Sequence, residues 1–287
     1  MRKIYFFFGI LFFSQTIFLS GQSFGQIESY FSEMDRIFNE MEYTPSPEEE
    51  YYLGRAVAAN ILASYKLYTE KPEQQIYLNM IYQTLVINSS YPFLYNGYFV
   101  MILDNPEFNA FATPGGHVFL TRGLVEAAPS EDALAGIIAH ELAHIMLRHG
   151  IKIINDMKIT TEIDLTTQMA ASFSGNKNKQ ISVFRDSVND VFFSITKSGY
   201  SIPQEYEADN KAAELMVMAG YNPGEFLEML KILQRIQKNK NGGFNDTHPS
   251  PAQRIANLEK QIHRYKETIV NNNRKERFNN VMGYDHE

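Results

Sequence analysis

Apolar residues recur at helical spacing through most of the chain, and one stretch, 98–121, breaks that rhythm with short β-rich runs. Between 27 and 42 the apolar positions are Ile27, Phe31, Met34, Ile37, Phe38 and Met41, one face of a helix. Ser46, Pro47 and Glu49 make a strong helix start: an N-cap, a proline in the first turn and a capping-box glutamate. They predict a helix to about residue 70, and Pro72 opens another to about residue 88. Tyrosines and aliphatics between 51 and 87 read as core-facing. Runs at 98–103, 108–112 and 117–121 predict a small antiparallel sheet, with a turn at Pro114, Gly115 and Gly116.

Further along, Ser130 is a good N-cap, and Glu131 and Asp132 follow it where acids suit the helix dipole. Residues 133–139 are apolar enough to be buried, Arg148 and His149 stand near the far end, and Gly150 fits the position just past it. One buried helix is therefore expected over 131–149. Residues 151–173 are mixed, 174–180 has the composition of an exposed loop, and helical spacing resumes over 181–197. Val191, Phe192 and Phe193 there are read as core, ahead of a lid or a peripheral membrane contact. Pro203 and Pro223 begin two more helices, to about 219 and 238, and Ser250 and Pro251 a third, to about 270. Residues 238–243 read as a loop, and 271–287 as a polar, frayed tail. The fold class is α+β, mainly α. No 20–50-residue repeat is visible, so an appended helical-repeat domain is not expected.

The N-terminus changes the domain picture. Arg2 and Lys3 precede an apolar run at 4–13, and small Ser23 and Gly25 stand before Gln26. That pattern resembles a secretory signal peptide over 1–25, leaving a folded domain over 26–270. No later stretch reaches the ~18 apolar residues of a spanning helix. The expectation is an exported protein, periplasmic if the source is Gram-negative. The chain has no cysteine, so no lipid can attach near the cut and no disulfide forms. A net charge of -7 implies no general affinity for nucleic acid.

Candidate chemistry is concentrated at 140–144, which reads His-Glu-Leu-Ala-His. Histidines at i and i+4 leave one face of a helix about a turn apart, so both rings can reach one metal ion. Glu141 is then placed to take a proton from the attacking water. With no cysteine, the donor set of His and carboxylate suits zinc, one per chain. A catalytic zinc needs a third protein ligand. A metzincin histidine is excluded, because Leu147 and Gly150 occupy the positions it requires. The other arrangement is a glutamate on a later helix with an aspartate four residues on. Glu205 and Asp209 fit, with Asp209 accepting a hydrogen bond from the far nitrogen of a ligand histidine. Glu207 points elsewhere and reads as solvated or salt-bridged.

These motifs, in this order, resemble the family-48 zinc metallopeptidases, relatives of HtpX, BepA and the CAAX prenyl protease. The likeness rests on His140 to His144, on Glu205 with Glu207, Ala208 and Asp209, on 109–116 ahead of a strand, and on His248 and Pro249 followed by Arg254. It covers about 45–260 and is nearest the compact exported members, without transmembrane helices or a tetratricopeptide domain. One departure is clear: many relatives carry arginine after the serine ahead of the ligand helix, whereas Ser201 is followed by Ile202.

The resemblance implies a gluzincin-like metallopeptidase domain, with the H-E-x-x-H helix, a second ligand-bearing helix and a small sheet. It implies a zinc endopeptidase concerned with quality control, whose partners are unfolded or misassembled envelope proteins. It also implies that His248 lies near the metal, acting on substrate or blocking the open position, with Arg254 as a helper at the oxyanion. Substrate is expected to lie extended along the edge of the 117–121 strand, against Gly115, Gly116, His117, Val118 and Phe119. The rival reading is a chaperone-like or adaptor protein with a non-catalytic zinc site. His117 is expected on the strand surface, not as a ligand.

Overall fold

The computed structural model describes residues 44–160, 177–237, 247–248, 251–265 and 272–283. The expected leader, the helix at 27–42 and the loop at 238–243 lie outside these residues. The chain divides into two units, Met1–Glu42 with Thr161–Gln180, and Tyr43–Thr160 with Ile181–Glu287. The second carries the sheet and the candidate site.

Helix α1, Pro47–Ser64, begins as its sequence dictates: the Glu49 amide donates to Ser46 Oγ at 3.3 Å, and Glu49 Oε2 accepts from the Ser46 amide at 2.8 Å. It stops before residue 70 because the next segment is captured by the sheet. Tyr65 is extended, Leu67 bridges Leu103, and the Tyr68 amide donates to the Ile102 carbonyl at 2.9 Å.

The sheet comprises β1 (Phe99–Leu103), β2 (Ala110–Thr113) and β3 (His117–Thr121) in the order β1-β3-β2. The β2–β3 hairpin is antiparallel, as expected. Strand β1 instead pairs parallel with β3, from Phe99 opposite His117 to Leu103 opposite Thr121. The reason lies in α2, Pro72–Ile87. Its Gln75, Asn79 and Gln83 share one face, and their amides bond the backbone of β1 at Tyr98, Val100 and Ile102 over 2.5–3.2 Å. This ladder closes one edge of β1 and leaves the other for β3. The 117–121 strand is thus central and offers no free edge, which corrects the expected path for substrate.

The β2–β3 turn is built by contact. Gly115 and Gly116 have φ of +77° and +99°, and a Cβ on Gly115 would sit 2.7 Å from Tyr51 Cα. These glycines serve the turn. Gly54 of α1 approaches the same turn so closely that an added Cβ would lie 1.5 Å from the Pro114 carbonyl oxygen. Gly54→Ala must therefore push α1 off the turn. The expected cost is at the upper end of the about 1–3 kcal/mol typical of overpacking, read as a lower urea midpoint.

After the short α3 (Arg122–Ala127) comes α4, Glu131–Met146, where every residue from Ala133 to Ile145 is buried. Ser130 caps it, Oγ accepting from the Ala133 amide at 3.1 Å. The single helix expected over 131–149 is broken: Arg148 takes φ +55°, and α5, His149–Thr160, starts at once. Arg148, not Gly150, supplies the left-handed residue that ends α4. Its guanidinium is drawn out of line by Glu50, at 2.6 Å.

Helix α6 spans Lys177–Phe193 and gives way to a π-helical turn, Ser194–Ser198. The helix thus begins inside the expected 174–180 loop. Val191 is buried, but Phe193 is 57% exposed, so the apolar cluster there is only partly core. Helices α7 (Ile202–Met218), α8 (Pro223–Gln237) and α9 (Pro251–Ile262) follow. The expected frayed tail contains instead a helix, α10 (Asn272–Met282). Phe278 and Met282 are buried, and Arg277 holds Glu131 through a bidentate ion pair at 2.5 and 2.9 Å. Polar composition hid this anchor. Among the described residues no helix is long and apolar enough to cross a membrane.

Candidate metal centre

Two helices and one short segment build the site. Helix α4 presents His140, Glu141 and His144 along one buried face. Helix α7 packs against it and presents Glu205 and Asp209, one turn apart and both fully buried. Ser201 and Gln204 form the capping box that starts α7 and so fix where Glu205 falls. Residues 247–248 supply His248, tied to the start of β2 where Thr247 Oγ1 donates to Asn109 Oδ1 at 3.0 Å. The stretch at 109–116 thus holds the histidine in place as well as forming the turn.

Donor atoms of His140, His144, Glu205 and His248 all lie within 4.8 Å of one another. His140 Nε2 is 3.0 Å from His144 Nε2, 3.3 Å from His248 Nδ1 and 3.5 Å from Glu205 Oε2. Glu205 Oε1 is 3.5 Å from His144 Nε2 and 3.0 Å from His248 Nδ1. Four ligands on a zinc ion with bonds of about 2.0–2.1 Å stand about 3.3–3.4 Å apart. The spacing and the N,N,O,N chemistry both fit such an ion, with His248 at the fourth corner.

Electrostatics say the same. Burial opposes the charge on Glu205, yet Arg254 and His248 hold its carboxyl well below the usual range. Burial and Arg254 push His140 down, but hydrogen bonds to Asp209 and Glu205 win and raise it to about 9. That imidazole therefore sits where a cation is wanted, between two carboxylates. Burial takes His144 well below its ordinary value. Burial also raises Glu141. Among the described residues neither of its carboxylate oxygens makes a hydrogen bond, and His248 Nε2 stands 3.5 Å from Oε1. A buried carboxylate in that condition is costly and poised to accept a proton.

Arg254 lies behind the centre. Its Nε and Nη2 donate to the two oxygens of Asp209 at 2.9 and 2.6 Å, and Nη1 is 3.0 Å from Glu205 Oε2. Asp209 Oδ1 in turn is 3.0 Å from His140 Nδ1. Its side chain is fully buried, and Nη2 also lies 3.5 Å from His140 Nε2.

Two neighbours, Tyr200 and His149, were not singled out from the sequence as part of the site, and Glu207 is salt-bridged, as its position suggested. Tyr200 stacks on His144, ring centroids 4.0 Å apart at 16°. His149 Nδ1 is 2.8 Å from His144 Nδ1, and His149 Nε2 is 3.1 Å from Glu207 Oε2. The signal existed: an imidazole five residues past His144, and an acid two residues before Asp209. His117, expected at the surface, is only 9% exposed; it is tucked under Tyr51, with Thr113 Oγ1 3.4 Å from its Nδ1. A small pocket beside His144 is lined by Ala112, Thr113, Pro114, Ile151 and Tyr200. Glu141, Glu205 and His248 are sealed, each at most 2% exposed.

Comparison with known proteins agrees with this geometry. Residues 72–262 match Peptidase family M48. Mitochondrial metalloendopeptidase OMA1 of Schizosaccharomyces pombe is 29% identical over 167 residues, 56% of this chain and 45% of that protein. The beta-barrel assembly-enhancing protease of Escherichia coli is 24% identical over 174 residues, 59% of this chain and 35% of that protein. Metalloprotease LoiP of Escherichia coli is 24% identical over 152 residues, 53% of this chain and 58% of that protein. The chain thus spans less than two thirds of the length of each of these relatives.

Proposed function

The chain belongs to Peptidase family M48, and from that premise we propose that it is a zinc-dependent endopeptidase acting on unfolded or misassembled proteins of the cell envelope. The observation that carries the reading is the clustering of four buried donor atoms within 4.8 Å of one another, beside a carboxylate that makes no hydrogen bond among the described residues.

His140, His144 and Glu205 would hold the ion. Zinc there supplies Lewis acidity toward water and toward a peptide carbonyl. Glu141 takes the proton from the attacking water and passes it to the leaving amine. Burial raises its carboxyl above the ordinary range, which favours taking up the proton. Asp209 orients His140, and Arg254 fixes Asp209 and Glu205, so Arg254 is assigned to holding the site. With β3 paired on both sides, an extended substrate is assigned to the outer edge of β2.

We assign His248 to blocking the open position, and its distances to His140 and Glu205 support that reading. It stands at the fourth corner, which peptide hydrolysis needs open. His248→Ala is expected to raise the cleavage rate of unfolded casein severalfold, with zinc still bound. A lowered rate would assign the imidazole to the chemistry instead, and an unchanged rate would remove it from both roles.

Export follows from the leader-like pattern at 1–25. The relative named as a beta-barrel assembly-enhancing protease supports an envelope substrate. The deciding experiment is cleavage of a denatured envelope protein by the full chain, with and without a chelator. Chelator-sensitive cleavage is expected. Binding without cleavage under every metal condition would favour the adaptor reading.

A further inference from the structure

His149 and Glu207 do nothing in the mechanism above, yet both reach the metal centre. The break at Arg148 turns the chain so that the His149 ring, fully buried, returns to the back of His144. The two Nδ1 atoms are 2.8 Å apart, with the rings inclined at 69°. On its far side, His149 Nε2 is 3.1 Å from Glu207 Oε2, and Lys152 Nζ is 3.5 Å from that same oxygen.

Two imidazole nitrogens at that distance need one proton between them, since two lone pairs or two N–H groups would repel. A carboxylate only accepts, so Glu207 draws the His149 proton onto Nε2. His149 Nδ1 is then a lone pair and accepts from His144 Nδ1–H. That leaves the lone pair of His144 on Nε2, the atom that faces His140 and Glu205.

We propose that His149 and Glu207 are positioning residues that hold His144 in its metal-binding tautomer and orientation, as Asp209 does for His140. The two ligand histidines are thus oriented by different devices. Asp209 acts directly from a buried, Arg254-clamped position. Glu207, its side chain 53% exposed, acts through an intervening imidazole. Metal-bound histidines commonly need such partners, and losing one weakens affinity about 10- to 100-fold. Stacking by Tyr200 holds the plane of His144 but cannot select its tautomer.

The inference rests on the metal reading of His140, His144 and Glu205, and the test separates the two. Zinc dissociation constants of the full chain are measured by competition with a chromophoric chelator. The parent is compared with His144→Ala, His149→Phe, His149→Gln and Glu207→Ala. Each is also melted in excess chelator, and the parent and the His149 variants are loaded with cobalt for visible spectra. His149→Phe keeps the buried volume but accepts no hydrogen bond, and about 10- to 100-fold weaker zinc binding is expected. His149→Gln, whose amide oxygen can accept from His144, should recover most of the loss. Glu207→Ala should weaken binding by about tenfold with melting in chelator unchanged, and being partly exposed it tests the idea even if the His149 variants fold poorly. Shifted cobalt bands in His149→Phe would report altered ligand geometry, which a purely structural role leaves alone. If His149→Phe and Glu207→Ala bind zinc within twofold of the parent while His144→Ala does not bind, the relay is wrong. If the parent itself binds no zinc, the metal reading has failed instead.

Discussion

Glu141→Gln is expected to leave one zinc per chain and to lower peptide cleavage by about 10²–10⁴-fold, the range for losing a positioned general base. The two effects separate because Glu141 is not one of the four grouped donors, so the substitution leaves the coordinating set intact. Glutamine also fits the space. Its amide is neutral, so it removes a buried carboxylate that makes no hydrogen bond among the described residues, and stability should hold or rise slightly. Zinc by atomic absorption and casein cleavage under identical loading make the measurement. A variant with full zinc and the parent's rate would remove Glu141 from the chemistry. A variant that loses zinc would mean that the carboxylate belongs to the coordination.

The site was more legible in the sequence than the frame that carries it. Helical periodicity sets the relation of His140, Glu141 and His144, and of Glu205 and Asp209, so spacing alone put each group on one face. Three features escaped because their causes are long-range. The parallel pairing of β1 depends on amides of α2 fifteen or more residues away, and Gln75, Asn79 and Gln83 look like ordinary polar positions. The break falls at Arg148, whose guanidinium pairs with Glu50 almost a hundred residues away, and Gly150 was the obvious but wrong place to end α4. The α10 helix shows only Phe278, Val281 and Met282 as apolar anchors in a polar run, and its strongest tie is an ion pair to Glu131. In each case a local rule was outvoted by a partner that no window of neighbouring residues contains.

Arg254→Met is expected to cost the protein about 3–5 kcal/mol when metal is withheld, and less when zinc is present. The guanidinium is fully buried and faces two fully buried carboxylates, Asp209 through two hydrogen bonds and Glu205 across an ion pair at 3.0 Å. Methionine fills much of the volume, so the loss comes from the charges left behind, not from a cavity. Removing one partner of a buried ion pair strands the other in low dielectric, and that sets the 3–5 kcal/mol scale. In excess chelator the melting temperature should fall by roughly 10 °C for a domain of this size. Zinc would place two positive charges beside Glu205, so part of the deficit there is offset; Asp209, on the far side of His140, stays uncompensated. A smaller melting shift in saturating zinc than in chelator is therefore the signature. Equal losses in both conditions would mean that Arg254 serves Asp209 alone. No loss in either would show that the carboxylates take up protons at no cost, and the reading of Arg254 as the charge that fixes Asp209 and Glu205 would fall.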